Sequence, residues 1–136
     1  MKMNAVIKVT GSQNDGEKPV VIQGKGNHFV VDDKHFIDYI EIDQETGMRT
    51  LNEITFHKEE VVIKRSGAVN SNMVFRTHKS NRFLYETDYG AFEITILTKV
   101  ITIYNEGDYL RFNIEYDLET NGEQVSENSL IIEVKH

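Results

Sequence analysis

The stretch YLRFNIEYDL, Tyr109 to Leu118, alternates without a break. Leu110, Phe112, Ile114, Tyr116 and Leu118 fall on one face of an extended chain; Arg111, Asn113, Glu115 and Asp117 fall on the other. A period of two places successive side chains on opposite sides of a strand, whereas a helix would need a period of 3.6. A chain carrying such a segment must build a sheet with one face hidden and one face wet. The pattern recurs along the sequence. FEITILT aligns Phe92, Ile94, Ile96 and Thr98, and NMVFRTH aligns Met73, Phe75 and Thr77. FLYETDY aligns Phe83, Tyr85, Thr87 and Tyr89, and SLIIEV aligns Leu130, Ile132 and Val134. AVIKVT, PVVIQG, HFVV, HFIDYIEI and LNEITFH are further strand candidates, while VVIQG and KVITIY alternate too poorly to assign an inward face.

Short polar breaks of hairpin type separate these runs: DDK, DQETG, KEE, NEGD and TNGE. Asn-Gly and Glu-Thr-Gly supply the positive-φ positions of tight turns. The single proline, Pro19, stands at the head of a strand, where a missing donor does least harm. No amphipathic helix is evident, and a parallel sheet would need long crossovers. About nine or ten antiparallel strands in a meander leave two open edges unless the sheet rolls up. The expected architecture is therefore all-β: a closed antiparallel meander barrel of about eight to ten strands, with a two-sheet sandwich as the competing arrangement. With 136 residues and no repeat or linker, one domain spanning 1–136 is expected. A chain of this length hides roughly two-thirds of its unfolded surface, enough for one core.

Composition narrows the partners. A net charge of −7 opposes non-specific binding to nucleic acid, whose phosphates would repel the molecule as a whole. No apolar run approaches the ~20 residues of a membrane-spanning helix. MKMNAVIKVTGSQND turns polar too soon for a secretory signal. The absence of cysteine removes disulfides, thiol nucleophiles and thiolate metal sites. A cytoplasmic protein is the expectation, with no membrane or nucleic-acid partner; the oligomeric state is not encoded in any of these features.

An inward face of Leu, Ile, Phe and Val is a core and needs no function, so the informative positions are polar residues with inward parity. In VVIKRSGAV, Val61 and Ile63 share a face with Arg65. In HFIDYIEI, hydrophobicity alone would turn Phe36, Asp38, Ile40 and Ile42 inward; the opposite parity turns in His35, Ile37, Tyr39 and Glu41. The second choice gives Arg65 a carboxylate partner in Glu41 and a hydroxyl neighbour in Tyr39. Tyr85, Thr87, Thr98 and Tyr116 add hydroxyls with the same inward sense. A buried arginine needs an anion or several acceptors. It is either a structural tie to Glu41 or a fork that grips a ligand carboxylate or phosphate.

Other chemistry is weaker. His28, His35, His57, His78 and His136 show no metal-ligand spacing and are expected on strand surfaces and the chain end. Asp32–Asp33 and Glu59–Glu60 sit in turns as solvated charge. Ser66 lacks the surrounding glycines of a nucleophile elbow. GKG at Gly24–Gly26 is too short for a phosphate loop and marks a bend or bulge. Arg76, His78, Lys79 and Arg82 cluster at one turn, where charge discourages edge pairing. No cofactor motif is present, and an enzyme is the third-ranked reading.

Five segments in order, YIE at Tyr39–Glu41, IKRSG at Ile63–Gly67, YETDYG at Tyr85–Gly90, ITILT at Ile94–Thr98 and IEYDL at Ile114–Leu118, resemble the YwiB-like bacterial proteins. The resemblance runs from about Gly26 to the C-terminus. It implies a lipocalin-like (calycin) barrel, a cytoplasmic setting in Gram-positive bacteria and, by analogy, a pocket for a small apolar or amphipathic ligand. It also matches Tyr39, Glu41, Arg65, Gly67, Tyr85, Thr87, Gly90 and Thr98 to recurrent positions, which favours Glu41 facing in. The Arg-x-Tyr pair with which fatty-acid-binding calycins hold a carboxylate has no counterpart in RFNIEY, where alternation turns Arg111 outward. The leading expectation is a non-enzymatic barrel binding a small apolar or anionic ligand through Arg65, Glu41, Tyr39, Tyr85, Thr87, Thr98 and Tyr116. The rival is a structural or protein-interaction module with a filled barrel and a purely structural Arg65–Glu41 pair.

Overall fold

A computed structural model describes residues 3–13, 17–87 and 89–136, with the Thr87 side chain outside that description. Ten strands follow one another: β1 (Met3–Gln13), β2 (Val20–Val31), β3 (Lys34–Ile42), β4 (Arg49–His57) and β5 (Glu60–Gly67), then β6 (Ser71–Arg76), β7 (Ser80–Thr87), β8 (Gly90–Glu106), β9 (Tyr109–Thr120) and β10 (Glu123–Lys135). They form one antiparallel sheet in the order β6-β5-β4-β3-β2-β1-β10-β9-β8-β7. Pairing of β1 with β10 joins the first strand to the last, so the meander curls into a barrel through its termini. The turns are those expected from the polar breaks. Asp32 and Asp33 both take positive φ, as do Asn121 and Gly122, which is the two-residue hairpin geometry that matches strand twist.

The barrel is nearly closed rather than fully closed, and its seam lies between consecutive strands. After β6 the chain does not fold back along that strand. Instead His78 N–H donates to Thr98 C=O (2.9 Å), and Thr98 N–H donates to Lys79 C=O (3.2 Å). This hooks the β6–β7 connection onto β8, so β7 pairs with β8, and among the described residues an isolated bridge joins Glu86 to Asn70, just ahead of β6. The basic cluster seen in the sequence flanks this seam. Arg76 pairs with Glu60 at 3.2 Å and Arg82 with Glu93 at 3.5 Å. Charge of this kind on an edge strand discourages addition of a foreign strand.

Alternation places the core as expected along β9, where Leu110, Phe112 and Ile114 are at most 2% exposed. One expectation needs correction here, and one irregularity finds its cause. Tyr89 does not follow Phe83 and Tyr85 inward; β7 ends at Thr87, alternation stops there, and Tyr89 is 95% exposed. KVITIY alternates poorly because β8 carries a bulge: Thr98 pairs with Tyr116 and Val100 with Glu115, leaving Lys99 as the extra residue. One inserted residue flips parity, so Ile101 packs against the core after Thr98 has faced it.

On β3 the parity question is settled. Ile37 and Tyr39 are buried, while Ile40 and Ile42 are 47% and 51% exposed, so hydrophobicity alone would have chosen the wrong face. Gly26 on β2 lies opposite Tyr39 and allows that approach. A Cβ at Gly26 would stand 1.9 Å from the Asp38 carbonyl oxygen and 2.9 Å from Tyr39 Cβ. Gly26→Ala is expected to push β2 off β3 and destabilise the protein by about 2 kcal/mol, as overpacking does. Chemical denaturation of the variant checks this; an unchanged midpoint would contradict the close approach.

Candidate functional site

Antiparallel register builds the polar site as a row. Gly26 is opposite Tyr39, Tyr39 opposite Asn52, Asn52 opposite Arg65, and Arg65 opposite Ser71. Residues directly opposite share a face, so one inward tyrosine turns the whole row inward. Glu41 lies one inward step further along β3. The long Arg65 side chain spans β4 to reach it, with Nη2 donating to Glu41 Oε1 at 2.9 Å. Arg65 Nε donates to Asn52 Oδ1 at 3.2 Å. Asn52 Nδ2 in turn faces both Glu41 Oε1 and the Thr50 carbonyl at 3.4 Å.

This triad stands at the end of the barrel that carries the β3–β4, β5–β6 and β9–β10 connections. The Arg65 and Glu41 side chains keep 23% and 25% of their exposure, so neither charge is fully stripped of water. Asn52 is 2% exposed and forms the dry floor beneath them. A cavity of about 170 Å³ opens beside the triad. Its apolar wall includes Val9, Ile22, Ile54, Ile63, Met73 and Leu130. Its polar lining is Tyr39, Glu41, Asn52, Arg65 and Tyr116. Burial pushes the Tyr39 hydroxyl up to about 12, with the Glu41 carboxylate adding to that and Arg65 opposing it. Burial alone pushes Tyr116 up to about 12. Both phenols are neutral hydroxyls at ordinary pH.

Of the seven residues named from the sequence, Tyr39, Glu41, Arg65 and Tyr116 come together around this cavity. Tyr85 packs against the core without lining it. Thr98 is 3% exposed on β8, opposite Tyr116, and its hydroxyl has no partner among the described residues. The Thr87 side chain lies outside the described residues. Arg111 points outward, its guanidinium 5.8 Å from the centre of the Tyr104 ring. Asn52 was missed, although its signal was the same as that of Arg65: in TLNEITF it shares a face with Thr50, Ile54 and Phe56, and all four are buried.

The histidines require the largest correction. His28, expected on a surface, is 7% exposed, and three of the five histidines meet at the opposite end of the barrel. His136 Nδ1 lies 3.2 Å from the Asp108 carbonyl. His28 Nδ1 lies 2.7 Å from His136 Nε2, and His28 Nε2 lies 2.9 Å from His35 Nδ1. A carbonyl only accepts, so His136 donates from Nδ1 and accepts at Nε2; His28 and His35 must then repeat that tautomer. The ring planes differ by only 14° and 20°, with centroids 5.2 and 4.9 Å apart. Those separations equal one N···N contact plus two ring radii, so the rings lie end to end as a chain. Phe56 and Phe112 pack against His35 from the core side and against each other at 4.9 Å. Burial, then the neighbouring His35 and His136, holds His28 down at about 4. Burial also lowers His35, against the pull of Asp33. Because His28 directs its two nitrogens in opposite directions, the three rings do not converge on a point. Among the described residues no three histidine, aspartate or glutamate side chains are arranged to hold a metal ion.

Comparison with known proteins agrees with this architecture. Residues 6–132 match the family described as a domain of unknown function, DUF1934. The chain is 28% identical over 113 residues to the uncharacterized β-barrel protein YwiB of Bacillus subtilis (strain 168), covering 82% of this chain and 78% of that protein. The crystal structure of the ywiB protein from Bacillus subtilis superposes with a TM-score of 0.79 at 22% identity, over 98% of this chain and 90% of that one. A match over nearly the whole length, on a barrel of the same fold, places this chain in the DUF1934 family of β-barrel proteins.

Proposed function

We propose that the barrel is a binding protein for a small, largely apolar molecule, held in the cavity with its polar or anionic head beside Arg65. The observation that carries this reading is an apolar wall ending on a polar triad at an open end, around a space of about 170 Å³. Ligand pockets have this composition: mostly apolar, with a few placed polar groups. Size narrows the ligand. A dry cavity of about 150 Å³ holds one benzene molecule, so this space suits a single ring or a short branched chain. A long-chain fatty acid does not fit inside it.

A ligand of about nine non-hydrogen atoms, at about 0.5 kcal/mol per atom, binds with a Kd near 1 mM. At 10 mM such a compound stabilises the folded state by about 1.4 kcal/mol. That corresponds to a rise in Tm of roughly 4–6 °C for a domain of this size. Thermal unfolding with benzoate, benzamide, isovalerate and dodecanoate is the test. At least one of the three short compounds is expected to raise Tm and dodecanoate is not; no shift with any of the three would overturn the proposal. The rival, structural reading is favoured by one observation, the 2.9 Å contact that already gives Arg65 a counter-charge.

A further inference from the structure

We infer that the ligand head is uncharged overall and carries a hydrogen-bond acceptor and a donor side by side, as a primary amide or an amino-acid zwitterion does, on a compact apolar body. This rests on the binding reading above and narrows its chemistry.

The argument starts from what the triad leaves over. A guanidinium has five N–H donors in a planar fork. Among the described residues Arg65 commits Nε to Asn52 and one Nη2 hydrogen to Glu41. Nη1 has no partner there. Glu41 accepts from Arg65 and faces Asn52 through Oε1, and its Oε2 has no partner among the described residues. Both side chains line the cavity and are tied to each other at 2.9 Å, so the uncommitted donors of Arg65 and the uncommitted acceptor of Glu41 belong to neighbouring residues of its polar lining. A ligand carboxylate approaching Arg65 meets the Glu41 carboxylate at nearly the same distance, and attraction and repulsion largely cancel. A ligand ammonium meets the mirror image of that problem. A head with an acceptor for Nη1 and a donor for Oε2 satisfies both groups and leaves no charge opposed. Specificity of this kind comes as much from rejecting wrong heads as from holding the right one.

Four compounds with one phenyl body separate the possibilities: benzamide, L-phenylglycine, benzoate and benzylamine. Binding is measured at pH 7 by NMR titration of the wild-type protein and of Glu41→Gln. In the wild type, benzamide or phenylglycine is expected to bind at least about 10-fold more tightly than benzoate and benzylamine, and whichever of the two leads identifies the amide or the zwitterion. Glu41→Gln removes the repelling carboxylate while keeping its shape, so benzoate is expected to gain about 10-fold or more in that variant. If benzoate or benzylamine binds best to the wild type, the neutral-head inference is overturned and the binding reading stands. If none of the four binds, both fall.

Discussion

Between pH 6.5 and about 4 the protein is expected to lose about 3 kcal/mol of unfolding free energy through His28, whose folded-state value is held at about 4. The sign follows from proton counting. In that window the unfolded chain protonates His28 and the folded one does not, so the unfolded state binds more protons and stability falls with falling pH. The contribution is complete above pH 6.5 and exhausted below about 4. The imidazole chain explains why one extra proton is tolerated and a second is not. With each ring donating from Nδ1, the first proton can enter at His35 Nε2 and leave both ring–ring contacts intact. A second puts two N–H groups face to face across a contact of 2.7 or 2.9 Å. Among the described residues the charge acting on the chain is Asp33 beside His35; His136 meets the backbone carbonyl of Asp108, and Phe56 and Phe112 offer no acceptor. Carboxylates elsewhere also destabilise in acid, so the readout is a difference. Urea unfolding of wild type and His28→Leu across this range should give a shallower pH slope for the variant; parallel slopes would contradict the chain.

Arg65→Ala should cost about 2–3 kcal/mol, somewhat less than the 3–5 typical of breaking a fully buried pair, because both partners keep about a quarter of their exposure. The loss is mainly the penalty of leaving the Glu41 carboxylate without its counter-charge and Asn52 Oδ1 without its donor against an apolar wall. Replacing both charges, Arg65→Met with Glu41→Leu, removes the desolvation problem along with the contact and should return stability to within about 1 kcal/mol of wild type. The same double variant should lose all selectivity among polar heads. Stability and binding thus separate: the structural reading predicts the first result and is silent on the second. Chemical denaturation measures the former. An Arg65→Ala midpoint equal to wild type would show that the triad holds nothing in place.

Particular residues show what was legible in the sequence. Arg65 broke the alternation of its own strand, and Asn52 did the same, so a polar row facing inward could be read from parity alone. Glu41 could not, because β3 carries apolar side chains on both faces; Ile40 and Ile42 outside compete with Ile37 and Tyr39 inside. The family resemblance, and not hydrophobicity, pointed the right way. The seam between β6 and β7 depends on backbone bonds that His78 donates to Thr98 and that Lys79 accepts from Thr98, which no periodicity reports. The histidine chain was hidden for a different reason. His28 and His35 are seven positions apart across a hairpin, but His136 is 108 positions from His28 and arrives only because β10 closes on β1. Long-range closure creates that cluster, and local sequence has no record of it.

The central claim is that the polar row around Arg65 and the apolar cavity beside it form one binding site inside the barrel. The most direct test is a two-dimensional NMR titration with benzamide, following methyl groups and the Arg65 Nε–H resonance. The account predicts shifts concentrated on Arg65 and on the methyls of Val9, Ile22, Ile54 and Met73, which line the cavity. Shifts confined to outward methyls such as those of Val21, Ile40 and Leu51, or none at saturating benzamide, would contradict it.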